Sequence, residues 1–239
     1  MQRLVSKSIL ALHLFVLGAI GGAQAHDLWL ERDPEGLWLR YGHLPSGHDG
    51  PSLIDYAPEI IQRIACHDAQ GHPVSCTPEV TSPLRIDCAC AATYVLTSSG
   101  YWTKTPYGTQ NVPKTEAETP IRSWLSYEGV KRLDAWTDAL NKPLTQDLEL
   151  VPLENPLVKR PGEKLKLLVA RGGLPVAGAI VTYDDQPRGQ TGQDGRINVR
   201  LKHEGFQSLQ ASLTVPGDGA LADDVVHTTT LNFELGKHP

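Results

Sequence analysis

The chemistry on offer in this chain is metal ligation, and the residues for it fall at three places. The first is Ala23-Gln24-Ala25-His26-Asp27. Arg3 and Lys7 precede an apolar run from Ile9 to Ile20, and Ala23-x-Ala25 follows, which is the layout of a secretory signal over residues 1–25. Cleavage after Ala25 leaves His26 first, so one residue offers an α-amine and an imidazole to the same ion. The amine titrates ordinarily near about 8, so a metal can displace its proton at neutral pH. The second place is His43-Leu44-Pro45-Ser46-Gly47-His48-Asp49, where a short loop can bring two imidazoles and a carboxylate together. The third is Asp223-Asp224-Val225-Val226-His227, whose Asp224 and His227 could close a site with His26 if the two halves of the chain meet there. Imidazole and amine nitrogen with a supplementary carboxylate suit nickel, cobalt and copper.

The elements that must position these residues are mostly strands. Leu28–Leu30 and Leu37–Tyr41 predict a hairpin that sets His26 near His43. Ile60–Cys66, Leu84–Cys90 and Thr93–Ser98 are short, apolar or β-branched, and bounded by turn formers. Thr119–Ala139 predicts the one short helix: Pro120 suits a first turn, and Ile121, Trp124, Leu125, Glu128 and Arg132 follow helical spacing. Lys142–Pro161 carries four prolines and predicts an extended crossing. Beyond it come Lys164–Ala170, Ala179–Tyr183, Ile197–Leu201, Leu209–Val215 and Thr228–Leu235, strands spaced as in an immunoglobulin-like sandwich. Gln193-Asp194-Gly195-Arg196 predicts a tight hairpin turn. The expected fold class is all-β: a β-rich domain over 26–154 with one short helix, and an immunoglobulin-like β-sandwich over 155–239.

Composition narrows the function further. Without residues 1–25 the chain keeps 214 residues, with 20 Lys and Arg against 27 Asp and Glu. That mildly acidic balance excludes nucleic acid as a partner. No apolar run after the signal reaches membrane length, so the processed chain is expected to be exported without a membrane span. Cys66, Cys76, Cys88 and Cys90 fit disulfides in an oxidising compartment, with three pairings open. A Cys66–Cys76 bridge across a turn at Gly71 is attractive, and a thiolate metal cluster is the competing use. The sequence holds no G-x-S-x-G, no H-E-x-x-H and no phosphate-cradling glycine loop, so an enzyme is not the favoured reading.

Several segments together resemble one family of secreted bacterial proteins, described as periplasmic components of nickel or cobalt uptake and long catalogued as a domain of unknown function. The pieces are His26-Asp27-Leu28-Trp29-Leu30-Glu31, Tyr41-Gly42-His43, Gly100-Tyr101-Trp102-Thr103-Lys104-Thr105 and Leu148-Glu149-Leu150-Val151-Pro152-Leu153-Glu154-Asn155-Pro156. Gly173-Leu174-Pro175-Val176-Ala177-Gly178-Ala179, Gly192-x-Asp194-Gly195-Arg196 and Thr228-Thr229-Thr230-Leu231-x-Phe233 complete the set in order. The four cysteines lie outside that pattern. The resemblance implies an N-terminal β-rich region, an immunoglobulin-like domain and a periplasmic role handing nickel or cobalt to a membrane metal transporter. The expected ligands are His26, His43, His48, Asp49, Asp224 and His227. Two alternatives stay open: a copper carrier or copper-dependent oxidase built on an N-terminal histidine brace, and a scaffold module that binds a protein partner without metal.

Overall fold

The computed structural model of the chain describes residues 27–44 and 52–236. Among them the regular structure is all β, with 3₁₀ turns at Pro58–Ile60, Lys114–Glu116 and Asp138–Leu140. The strands in chain order are β1 (Asp27–Asp33), β2 (Gly36–His43), β3 (Ser52–Leu53), β4 (Ile61–His67), β5 (Pro73–Val74) and β6 (Leu84–Ile86). Then come β7 (Ala92–Thr105), β8 (Gly108–Gln110), β9 (Arg122–Leu133), β10 (Glu149–Pro152), β11 (Lys164–Arg171) and β12 (Leu174–Pro175). The last five are β13 (Ile180–Tyr183), β14 (Gln186–Gln190), β15 (Arg196–Arg200), β16 (Gly205–Pro216) and β17 (Asp224–Leu235).

These strands make three layers. The middle one is a nine-stranded sheet in the order β14-β13-β16-β17-β9-β7-β4-β5, with β8 on β7. One face carries an N-terminal sheet, β1-β2-β3 with β6 also on β2, and the other a C-terminal sheet, β10-β11-β12 with β15 on β11. Each interface has its own apolar core. Leu28, Leu30, Leu37, Leu39, Leu84 and Ile86 meet Val95 and Val130 on the N-terminal side. Leu150, Leu165, Leu167, Val169 and Val199 meet Leu133, Leu209, Leu231 and Phe233 on the other. The two halves of the chain are joined by a parallel pairing of β17 with β9, from Asp224↔Trp124 to Asn232↔Arg132. The central sheet therefore draws strands from both sides of residue 154. β10, just before that boundary, belongs to the C-terminal sheet through its pairing with β11.

The predicted hairpin forms as β1 and β2, in register from Asp27↔Gly42 to Asp33↔Gly36. Gly42 is required there: its φ is 148°, and a Cβ would lie 2.0 Å from the Ser52 carbonyl oxygen where β3 closes on β2. The turn at Asp194-Gly195 also forms, with Gly195 at φ 72°. It links β14 of the central sheet to β15 of the C-terminal sheet, so it crosses between layers where a hairpin was expected.

Two further expectations are corrected. The segment Thr119–Ala139 is not a helix; its centre is β9, paired on both edges by β7 and β17. Both faces of β9 are covered, Val130 by one core and Leu133 by the other, so the strand lacks the alternation of a half-exposed one. Lys131 and Arg132, buried as ion pairs, imitate the polar stripe of a helix. The cysteines pair as Cys66–Cys90 and Cys76–Cys88, which overturns the Cys66–Cys76 bridge and the free thiolate cluster. The turn at Gly71 does exist, but its β4–β5 register sets Val74 opposite Cys66 and leaves Cys76 two residues beyond.

Candidate functional site

Because β9 pairs without interruption along β17, its side chains alternate strictly between the two interfaces. Val130 and Arg132 face the N-terminal sheet, and so does Glu128. Gly129, Lys131 and Leu133 face the other way, as does Tyr127.

The free edge of β1 meets this face of β9 and β17, and side chains satisfy its backbone. The Leu30 amide donates to Asn232 Oδ1 at 3.0 Å, and Arg132 Nη1 donates to the Leu30 carbonyl at 3.1 Å. One step toward the chain start, the Leu28 amide donates to the Glu128 carboxyl. An edge strand is thus sealed by polar groups from a neighbouring layer, which removes it as a template for aggregation.

That seal creates an unusual corner. Glu128 is pushed up to about 8, first by burial and second by the negative charge of Asp27, against which the Leu28 amide is only a partial offset. Tyr41, two residues before the end of β2, is held above its ordinary phenol range by burial and then by the Glu128 charge. Asp27 Oδ2 accepts the Leu44 amide at 3.4 Å. His43 closes β2 one residue past Gly42, the register partner of Asp27. Asp27, Glu128 and Tyr41 are therefore linked electrostatically where β1 begins and β2 ends, and His43 is the last residue of β2. His26, covalently bonded to Asp27, lies outside the described residues, as do His48 and Asp49.

The third expected group does not come together. Asp224 and His227 are three apart in a strand with continuous register, so they point to opposite faces. Asp224 is engaged by Arg122 through Nε at 2.9 Å and Nη2 at 2.8 Å. His227 turns into the interface with the C-terminal sheet, stacks on Tyr127 at 5.5 Å between centroids, and buries an Nε2 without a hydrogen-bond partner. Burial, and then the Arg171 charge, pull its imidazole down to about 4. Asp223, next to Asp224, is held near 2 by Lys114 and by the Ser123 hydroxyl and amide, tying the loop ahead of β17 to β9.

Glu128 is the residue that sequence reasoning missed. It stood among the helically spaced residues of Thr119–Ala139; as a strand residue it becomes an ionisable group facing a core.

With this geometry in place, a comparison with protein families identifies one match: the family described as a domain of unknown function (DUF4198), over residues 23–215. No curated protein and no solved structure matches the chain.

Proposed function

This chain belongs to the DUF4198 family, and we propose, from the corner where β1 begins, that it binds one divalent transition-metal ion there, nickel or cobalt. The observation that carries the reading is the placement of Glu128 against the start of β1, where its carboxyl accepts the Leu28 amide and senses the charge of Asp27, immediately after the residue that signal cleavage would make the first of the chain. Contacts within the protein leave Glu128 favouring its neutral form; a bound cation reverses that balance and draws the proton off. The donors would be the His26 α-amine and imidazole, the Glu128 and Asp27 carboxylates, and His43 from the adjoining strand. Such a mixed nitrogen and oxygen set suits borderline ions. The ion is cargo: it is captured, held by ligands whose protonation competes with binding, and handed to a membrane uptake system in the periplasm. The two disulfides and the signal-like N terminus accord with an exported chain.

The test is calorimetric titration of Ni²⁺, Co²⁺ and Cu²⁺ into exported protein whose mass confirms that it starts at His26. Two variants run beside it, one extended by an N-terminal alanine and one carrying Glu128→Gln. One-to-one binding that is abolished by the extension and weakened at least about tenfold by Glu128→Gln supports the site. Binding indifferent to both changes puts the metal elsewhere. No binding removes the metal reading and leaves the scaffold. Reductant-dependent peroxide from the copper-loaded protein would turn the assignment toward an oxidase.

A further inference from the structure

The two disulfides are not separate staples. Three of their sulfurs, on Cys66, Cys76 and Cys90, lie within 4.8 Å of one another, and the fourth, on Cys88, is bonded to Cys76. They come from different segments: Cys66 from β4, Cys76 from the loop after β5, and Cys88 and Cys90 from the stretch between β6 and β7. Cys66 and Cys90 are buried, whereas Cys76 and Cys88 line an open cavity of about 670 Å³ together with Trp38, Glu79 and Arg85, and Cys66 borders a second cavity beside His67 and Val74. Among the described residues, this is where three potential metal ligands converge.

Tetrahedral zinc–thiolate bonds of about 2.3 Å place sulfurs roughly 3.8 Å apart. The sulfurs here straddle that spacing, from bonded pairs to 4.8 Å. The Cα separations of 5.5 Å and 5.8 Å allow each pair to open by rotation about the Cα–Cβ bonds, with the backbone in place. We propose that the reduced form of this chain holds one soft d¹⁰ ion, Zn²⁺ being the probe of choice, on the Cys66, Cys76 and Cys90 thiolates with Cys88 as the fourth ligand. Reduction of the two bridges takes four electrons and four protons, supplied by two equivalents of a dithiol. Metal binding then exchanges S–H bonds for metal–sulfur bonds and releases those protons. The cavity gives the reductant and the ion a path to the Cys76–Cys88 sulfurs. The site is independent of His26: oxidised protein presents disulfides and no thiolate, and reduced protein presents a second, softer metal site.

The experiment uses the alanine-extended chain, so that the corner at β1 is blocked and its failure is separable from failure here. Reduced and oxidised samples are titrated with Co²⁺ as a spectroscopic stand-in and with Zn²⁺ against a chromophoric chelator, and free thiols are counted. The expected result is one ion per reduced chain, a sulfur-to-cobalt charge-transfer band, protection of three or four thiols, and no band from oxidised protein. Cys66→Ser and Cys90→Ser should each lose the band, while His72→Ala should keep it. Near-UV circular dichroism follows the fold throughout. A reduced chain that stays folded without a thiolate band overturns the proposal, and so does a reduced chain that unfolds and is not refolded by Zn²⁺. A band that survives both serine variants overturns it equally.

Discussion

Two glutamates sit on opposite sides of the central sheet, and their surroundings could hardly differ more. Glu149, at the start of β10, is completely buried and completely answered. Lys131 Nζ lies 2.7 Å from its Oε1, the Leu144 and Thr145 amides donate to it at 3.0 Å, and the Thr145 hydroxyl donates at 3.1 Å. Glu128, three residues from that lysine on the same strand, receives the Leu28 amide and is pushed up by its burial and by the charge of Asp27. A buried charge with every lone pair matched is a structural lock, here closing the 142–148 segment onto β9. A half-buried carboxyl near a second acid charge favours its neutral form instead. The contrast separates a carboxyl that locks the fold from one that the fold leaves under electrostatic pressure.

The sharpest way to break the contrast is to remove Glu149. Glu149→Ala strands the Lys131 ammonium, itself 1 % exposed, in the interior. The expected loss is about 3–5 kcal/mol, the usual consequence of leaving one partner of a buried pair alone, measured by denaturant unfolding. The double variant Lys131→Met/Glu149→Leu should recover most of it, because neither charge is left behind. If Glu149→Ala is no more harmful than Glu128→Ala, the distinction drawn between the two residues fails.

Much of this frame was legible in the sequence. Alternation in Lys164–Ala170 and the Asp-Gly turn mark the C-terminal strands, and the apolar stretches Leu28–Leu30 and Leu37–Tyr41 mark the β1–β2 hairpin. What stayed hidden was long-range. Nothing local says that β17 returns parallel to β9 and makes it an interior strand, with both faces then covered by the flanking sheets and its period-two pattern erased. Read with helical spacing, the β9 segment gives Glu128 no reason to stand out. Asp224 and His227 were grouped because they are near in sequence, but strand parity sends them to opposite layers. The disulfide pairing was hidden for a similar reason: a shift of two residues in the β4–β5 register decides which cysteine meets Cys66.

Acid should probe the side of the sheet facing the C-terminal layer. His227 falls from an ordinary 6.5 to about 4 on folding, so between those values the unfolded chain binds more protons. Stability is then complete above about pH 6.5 and declines as pH falls toward 4, by about 3 kcal/mol over the window. His227→Gln should flatten that decline in urea midpoints taken at pH 4.5, 5.5 and 7. An unchanged slope would mean that the imidazole is hydrated when folded.

Glu128 predicts the opposite sign. Its folded value is raised from 4.5 to about 8, so the folded chain binds more protons and loses stability as pH rises between those values. Part of the side chain is exposed, so the effect is discounted to on the order of 2 kcal/mol at pH 8. Glu128→Gln keeps an acceptor for the Leu28 amide and removes the charge. In metal-free protein it should raise the melting temperature at pH 8 and change little at pH 5. The same variant is the one expected to weaken metal binding, so a stability gain coupled to a binding loss would mark a functional strain.

The smallest effect belongs to Asp224. Its partner Arg122 is largely exposed, and exposed ion pairs contribute about 0–1 kcal/mol. Asp224→Asn keeps the shape and an acceptor oxygen for the guanidinium, so stability should stay within about 0.5 kcal/mol. Metal affinity should stay within about twofold, because Asp224, the first residue of the last strand, already has its cation supplied by Arg122. That second expectation is the discriminating one. A tenfold loss of Ni²⁺ or Co²⁺ affinity in Asp224→Asn would move the site along β17, away from Glu128. It would also show that an acid with a fixed arginine can be a better ligand than one pressed against another acid.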